Sequence, residues 1–227
     1  MEQINFDIPY EEVLRYLGYN EQEIEPELKQ MIEECSALVM KNTSTRYVYS
    51  IVDIAFFDYG INITGTNLFL LGKSISRHLK ECKKCILFAA TLGPQIEKLM
   101  MQTMAKSPAK AVIMDACATA AIENICDVLE NKIRYMYKLK GDDITSRFSP
   151  GYDDFPLQTQ PLILSVLDTQ KRIGLTVTHD NILIPRKSVT AVMGIIEKGT
   201  YVRRKLCAGC DKYDTCKYRK EGKSCEV

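Results

Sequence analysis

Between Pro108 and about Tyr137 the chain runs on without a glycine or a further proline, and this stretch constrains the fold more than any other. Ser107-Pro108 opens it with an N-cap hydroxyl and a proline at the first helical position, where a missing N–H costs nothing. The pattern predicts the longest helix of the protein. Its middle, Ala116 to Ala121, is rich in small side chains, which let another backbone or a ligand come close. A chain of 227 residues, 46% hydrophobic, is long enough to bury a core around such a helix as one domain with a small appendage. That apolar fraction excludes intrinsic disorder, and no apolar run approaches the length of a membrane span. The start, Met1-Glu2-Gln3, lacks the basic and apolar regions of a signal peptide, which predicts a cytoplasmic protein.

Around the long helix the periodicity changes repeatedly. Asp7 and Pro9 read as the N-cap and early proline of a helix ending at Gly18, and a second helix starts near Pro26 with the stripe Leu28, Met31, Ile32, Cys35, Leu38 and Val39. Arg46 to Phe57 alternates as a strand, with Val48, Ser50, Val52, Ile54 and Phe56 on one face, and Ile61 to Thr64 returns as a hairpin partner. A helix over Ser74 to Lys83, a buried strand over Cys85 to Ala90 and a helix from Pro94 to Met104 precede the long one. After a loop from Arg147 to Pro156 come a helix from Pro161 to Asp168 and strands around Leu175 to Thr178 and Ser188 to Ile196. The class is α+β: one domain over 1–202, followed by a Cys-rich tail over 203–227 that shows no apolar periodicity.

Charge is nearly balanced overall, 30 Lys+Arg against 29 Asp+Glu, but unevenly placed. Met1 to Glu34 carries ten acidic and two basic residues, while Tyr201 to Cys225 carries eight basic and three acidic ones. Nine cysteines in a cytosolic chain do not read as a disulfide framework. Cys35, Cys117 and Cys126 sit in apolar or helical contexts as core residues, and the Cys82–Cys85 spacing ends a helix before a strand, the reverse of a redox motif. The remaining four, Cys207, Cys210, Cys216 and Cys225, offer enough thiolates for an iron-sulfur cluster or a tetrahedral zinc, or bind no metal at all. Neither His78 nor His179 has a cysteine or second histidine at metal spacing, and both read as surface or capping residues.

The most distinctive stretch is Arg147-Phe148-Ser149-Pro150-Gly151-Tyr152-Asp153-Asp154-Phe155-Pro156. Pro150-Gly151 is a turn, Arg147 a rigid donor fork suited to a carboxylate or phosphate, and Tyr152 a flat face with a polar tip. The bland alternative is a surface turn with a salt-bridged arginine. Asp153 and Asp154, adjacent on a turn, read as solvated charges. This loop resembles the R-x-x-P-G-Y-x-x-x-P loop of the activation domain of cobalamin-dependent methionine synthase. Downstream, Ile173-Gly174-Leu175-Thr176-Val177-Thr178 looks like that family's I-G-x-T-x-T strand, and Pro185 with Ser188-Val189-Thr190 matches the P-x-x-S-V-S that follows. Upstream, Ala121-Ile122-Glu123 resembles its glutamate-bearing helix.

The resemblance implies a twisted, mainly antiparallel sheet flanked by helices, and a site for S-adenosylmethionine. It assigns Arg147 to the methionine carboxylate, Ser149 to a main-chain contact, Glu123 to the amino end and Tyr201 to a position against the ligand, with Tyr152 in the same loop. Gly18 stands where the family has an aspartate that also contacts the ligand, and Phe155 where it often has a cysteine. No Asp-x-His-x-x-Gly motif is present, so cobalamin is expected on a separate corrinoid protein or methionine synthase subunit, with a low-potential donor of flavodoxin or ferredoxin type. The leading expectation is reactivation of that cofactor by reductive methylation. A non-catalytic assembly subunit of a split methionine synthase, and a metal-stapled nucleic-acid-binding protein using the basic tail, are the alternatives; no membrane partner is expected.

Overall fold

Strand β4 (Lys84–Thr91) is buried on both faces from Cys85 onward, which makes it the centre of the fold. The computed structural model describes residues 4–19 and 23–198. β4 pairs antiparallel with β1 (Arg46–Phe57) on one side and β8 (Ser188–Ile196) on the other. β2 (Gly60–Ile63) returns from β1 as a hairpin, β3 (Phe69–Leu70) lies beyond it, and β5 (Asp143–Ile144) pairs with β8 at the opposite edge. The order is β3-β2-β1-β4-β8-β5, with every pairing antiparallel. A separate ribbon joins β6 (Thr176–Val177) to β7 (Leu183–Ile184).

Alternation along the strands sorts side chains into two cores. Ile86, Phe88 and Ala90 of β4, with Ala191, Met193 and Ile195 of β8, face a layer built from α1 (Tyr10–Leu17), α2 (Pro26–Asn42), α4 (Pro94–Lys106) and α5 (Pro108–Lys138). Cys85, Leu87, Ala89 and Val192 face the other way, against α3 (Lys73–His78), α6 (Gln160–Leu167), α7 (Thr169–Ile173) and Phe155. An antiparallel sheet often leaves one face wet; here both are covered, as the near-continuous apolar run of β4 requires. The fold is α+β with a mainly antiparallel sheet flanked by helices.

Helix α5 begins as expected, with Ser107 Oγ accepting from Lys110 N at 3.4 Å. Its small residues serve a close helix–helix approach: Ser36 Oγ of α2 lies 3.4 Å from Cys117 Sγ. All five cysteines among the described residues, Cys35, Cys82, Cys85, Cys117 and Cys126, are buried thiols outside any disulfide. Burial pushes the Cys35 thiol up to about 11 and raises Cys126 and Cys85 further, so these groups stay protonated and inert.

Three local expectations are corrected. Asp7 does not cap α1: Pro9, with extended ψ, takes the N-cap position, Asp7 Oδ1 accepts from Ile8 N, and Asp7 N donates to Asn124 Oδ1 on α5 at 3.0 Å. Helix α3 ends at His78 rather than Lys83, because the chain must turn to bury Leu79 and Cys82 against β8. A Cβ at Gly194 would overlap Cys82 Sγ and Leu79 Cδ2, so that turn needs a glycine on the strand beside it. Finally α7 continues the chain past Asp168, whose left-handed φ of 51° separates it from α6.

Candidate functional site

Helix α5 turns one polar stripe toward the loop that follows β5. Glu123, Asp127 and Glu130 occupy positions i, i+4 and i+7, and Arg134 extends the stripe by another turn. The loop is fixed to the sheet next to its arginine: Phe148 N donates to Val192 O and Val192 N to Phe148 O, both at 2.9 Å. That anchorage projects Arg147 onto the stripe.

Arg147 is 15% exposed and meets three carboxylates. Its Nη1 donates to Glu130 Oε2 at 3.2 Å, and its Nη2 to Asp127 Oδ1 at 2.8 Å and Glu123 Oε2 at 3.4 Å. Glu130 accepts again from the backbone N of Arg147 at 3.3 Å, while its other oxygen takes Arg134 Nη2 at 2.7 Å. Arg134 also reaches Asp143 Oδ1 at 2.7 Å and bonds the Ile144 carbonyl. Such a network satisfies every member, which is what makes mostly buried charges tolerable. Among the described residues no buried side-chain polar atom lacks a partner.

Glu123 is half-buried. Desolvation raises its carboxyl above the ordinary range, Arg147 pulls it back down, and the negative charge of Asp127 pushes it up again. Tyr152 and Tyr16 feel the same group, since burial and then the charge of Glu123 raise both phenols. The structure thus joins Glu123 to Arg147 directly, a contact between a helix and a loop 24 residues apart in sequence.

Within the loop, Tyr152 N donates to Ser149 O at 3.1 Å and Gly151 N to Phe155 O at 2.8 Å, with Gly151 at a φ of 94° that a residue bearing a Cβ rarely adopts. Phe155 is 1% exposed and stacks on Phe148 at 6.0 Å, so the position carries a core anchor. Asp154 is not a merely solvated charge. Its carboxylate accepts from Lys73 N at 2.6 Å and Ser74 N at 3.0 Å and bonds Ser74 Oγ, capping α3 from 80 residues away. These bonds hold its carboxyl below the usual range. Asp153 is exposed as expected. His78 is likewise more than a surface residue: an Nε2–H donates to Ser146 O at 3.0 Å, Thr145 Oγ1 lies 2.8 Å away, and the ring sits 5.0 Å from that of Phe148. His179 is fully exposed.

These parts enclose one cleft of about 820 Å³. Glu123, Arg147, Ser149 and Tyr152 all line it, as do Asp127, Glu130, Arg134 and Asp143, which sequence reasoning had passed over. The signal for the first two was present in the helical spacing from Glu123; nothing local marks Asp143. The cleft wall carries five carboxylates, Glu81, Glu123, Asp127, Glu130 and Asp143, against two arginines, so its field is negative. Gly18 closes α1 in the left-handed conformation at φ 83°, with open space where a side chain would go. Tyr201, Cys207, Cys210, Cys216 and Cys225 lie outside the described residues. Among those described, no group of three or more His, Cys, Asp or Glu is arranged to hold a metal ion.

No protein-family model and no curated protein sequence matches the chain. Among solved structures the chain is similar to a crystal structure of the MetH reactivation domain bound to AdoHcy, with a TM-score of 0.62 over 95% of this chain and 77% of that one. Sequence identity over the match is 16%, so the likeness carries the fold.

Proposed function

We propose that the cleft between α5 and the Arg147–Pro156 loop binds S-adenosylmethionine, and that the protein supports reductive methylation of cobalamin held by a separate corrinoid methyltransferase such as methionine synthase. The observation that carries this reading is the meeting of Glu123, Arg147, Ser149 and Tyr152 in one cleft, in a fold shared with a domain whose structure holds the demethylated ligand. Charge supports it as well. S-adenosylmethionine has a carboxylate, an ammonium and a sulfonium, a net positive charge that suits a wall with more carboxylates than arginines. The volume falls within the ordinary range for small-molecule sites.

In this reading Arg147 takes the ligand carboxylate in a charge-assisted pair. Glu123 takes the ammonium, which supplies the cation its half-buried carboxylate favours. Tyr152 offers an aromatic face beside them, and Ser149 its backbone. The sulfonium is already a good leaving group and no general base is required. The protein's contribution is to hold the methyl in line with the corrin cobalt of the docked partner. The methyl group moves to cobalt already reduced by one electron from a flavodoxin- or ferredoxin-type donor, and the electrons of the broken carbon–sulfur bond stay on sulfur as the thioether.

In this proposal the tail cysteines Cys207, Cys210, Cys216 and Cys225 would hold an iron-sulfur cluster, which would supply low-potential electron transfer. An anaerobic absorption spectrum with metal analysis tests that part: iron with acid-labile sulfide supports it, and zinc alone removes it. Titration calorimetry tests the core of the proposal. S-adenosylmethionine binds the wild-type protein, and Arg147→Ala weakens binding at least about a hundredfold, the scale of a lost buried charge pair. Absence of binding to well-folded protein overturns the reading. Binding without methyl transfer to a reduced corrinoid partner leaves the assembly-subunit role instead.

A further inference from the structure

The ligand-binding reading gives Arg147 a task that its surroundings obstruct. A guanidinium that is to receive a ligand carboxylate already holds three carboxylates, all from α5. They are not equivalent. Glu130 is 15% exposed and clamped from both sides, by Arg134 at 2.7 Å and by the Nη1 and backbone N of Arg147. Moving it would break bonds to two mostly buried cations at once, so it holds the arginine in place. Glu123, half-buried and 3.4 Å from Nη2, makes the longest contact of the three.

Asp127 is different. It is 60% exposed, makes the shortest bond to Arg147, at 2.8 Å to Nη2, and stands at the cleft wall. A carboxylate with that much solvent contact leaves the guanidinium at little desolvation cost, because water replaces the lost bond. We infer that Asp127 is a displaceable stand-in for the ligand's carboxylate, occupying Nη2 of Arg147 in the empty site and swinging to solvent when the ligand arrives. This rests on the proposed binding of S-adenosylmethionine. It adds a residue that competes with the ligand, where a residue on the wall of a ligand cleft would ordinarily be read as helping it. Displacement also carries one negative charge away from Glu123, leaving that carboxylate better placed for the ligand's ammonium.

Competition and through-space attraction make opposite forecasts for Asp127→Ala. The substituted position is exposed and mid-helix, where alanine is the best helix former, so the variant retains its fold. Calorimetry with three probes separates the forecasts: S-adenosylmethionine, S-adenosylhomocysteine, which keeps the carboxylate without the sulfonium charge, and 5′-methylthioadenosine, which has no carboxylate. A stand-in role predicts that Asp127→Ala tightens S-adenosylhomocysteine about two- to fivefold, the worth of a partly exposed ion pair, and leaves 5′-methylthioadenosine unchanged. Glu130→Gln, by contrast, weakens both carboxylate ligands. Unchanged or weaker S-adenosylhomocysteine binding by Asp127→Ala overturns the stand-in while the binding reading survives. Failure of the wild-type protein to bind any of the three removes both.

Discussion

Glu123 is pulled in two directions by its surroundings. Burial above all, with the neighbouring Asp127, disfavours its charge, while Arg147 and, less strongly, Arg15 support it, and the balance leaves the carboxyl raised in the folded protein. The sign of the consequence follows from linkage: a carboxyl raised above its unfolded value, about 4.3 for glutamate, costs stability as pH rises through that value and up to the folded one, and the full cost persists above. Glu123→Gln is therefore expected to melt at a higher temperature than wild type at pH 7, with the difference closing below about pH 4, while its affinity for S-adenosylmethionine falls about tenfold through loss of a charge-assisted bond. Melting curves at the two pH values check the first part and calorimetry the second. A glutamine variant less stable than wild type at pH 7 would mean that the carboxylate is favoured in place despite its burial. Stability given up at a residue that a ligand later neutralises is the usual mark of a binding site.

At the scale of elements, the loop and α3 hold each other. Gly72, at a φ of 119°, brings the start of α3 so near Asp154 that a Cβ there would overlap the Asp154 carbonyl, and the Asp154 carboxylate then covers two backbone N–H groups. Because these bonds lower its carboxyl, the stabilisation is present above the unfolded value near 3.9 and is lost as pH falls through the folded one. Asp154→Asn lowers the melting temperature at pH 7 and converges with wild type as the solution is acidified; parallel curves at all pH values would show that the charge is irrelevant. The elements themselves were largely legible. Ser107-Pro108 marked the start of α5, the alternation of Arg46 to Phe57 marked β1, and Ser188 to Ile196 is β8 to the residue. The capping of α3 was not, because it comes from a carboxylate 80 residues downstream, beyond the reach of any local capping pattern.

The whole molecule is a sheet covered on both faces, with the cleft where α5 on one side meets a loop pinned to β8 and to the opposite core. Phe155 is the pin, fully buried among Ile163, Leu164 and Leu167 and stacked on Phe148. Phe155→Ala should cost about 3–5 kcal/mol in urea unfolding, the range for a buried aromatic removed from a core, and should weaken ligand binding by loosening the loop beneath Arg147. A loss below about 1 kcal/mol would show that the loop is held by its hydrogen bonds alone. No helix among the described residues is long and apolar enough to cross a membrane. Read by itself, the chain determined what depends on neighbours along the sequence: the 3.6-residue stripe of α2, the two-residue alternation of β1, the Pro150-Gly151 turn, and the donor fork and aromatic face on either side of it. It also held, unread, the spacing that aligns Glu123, Asp127 and Glu130 on one helix face. Only the tertiary structure decided that Arg147 lies against that face, that Glu130 is shared with Arg134, and that His78 and Asp154 brace the loop. Apart from the i,i+4 pair of Glu130 and Arg134, those contacts join residues 17 to 81 positions apart. They are set by how two cores pack across one sheet, which no local periodicity records.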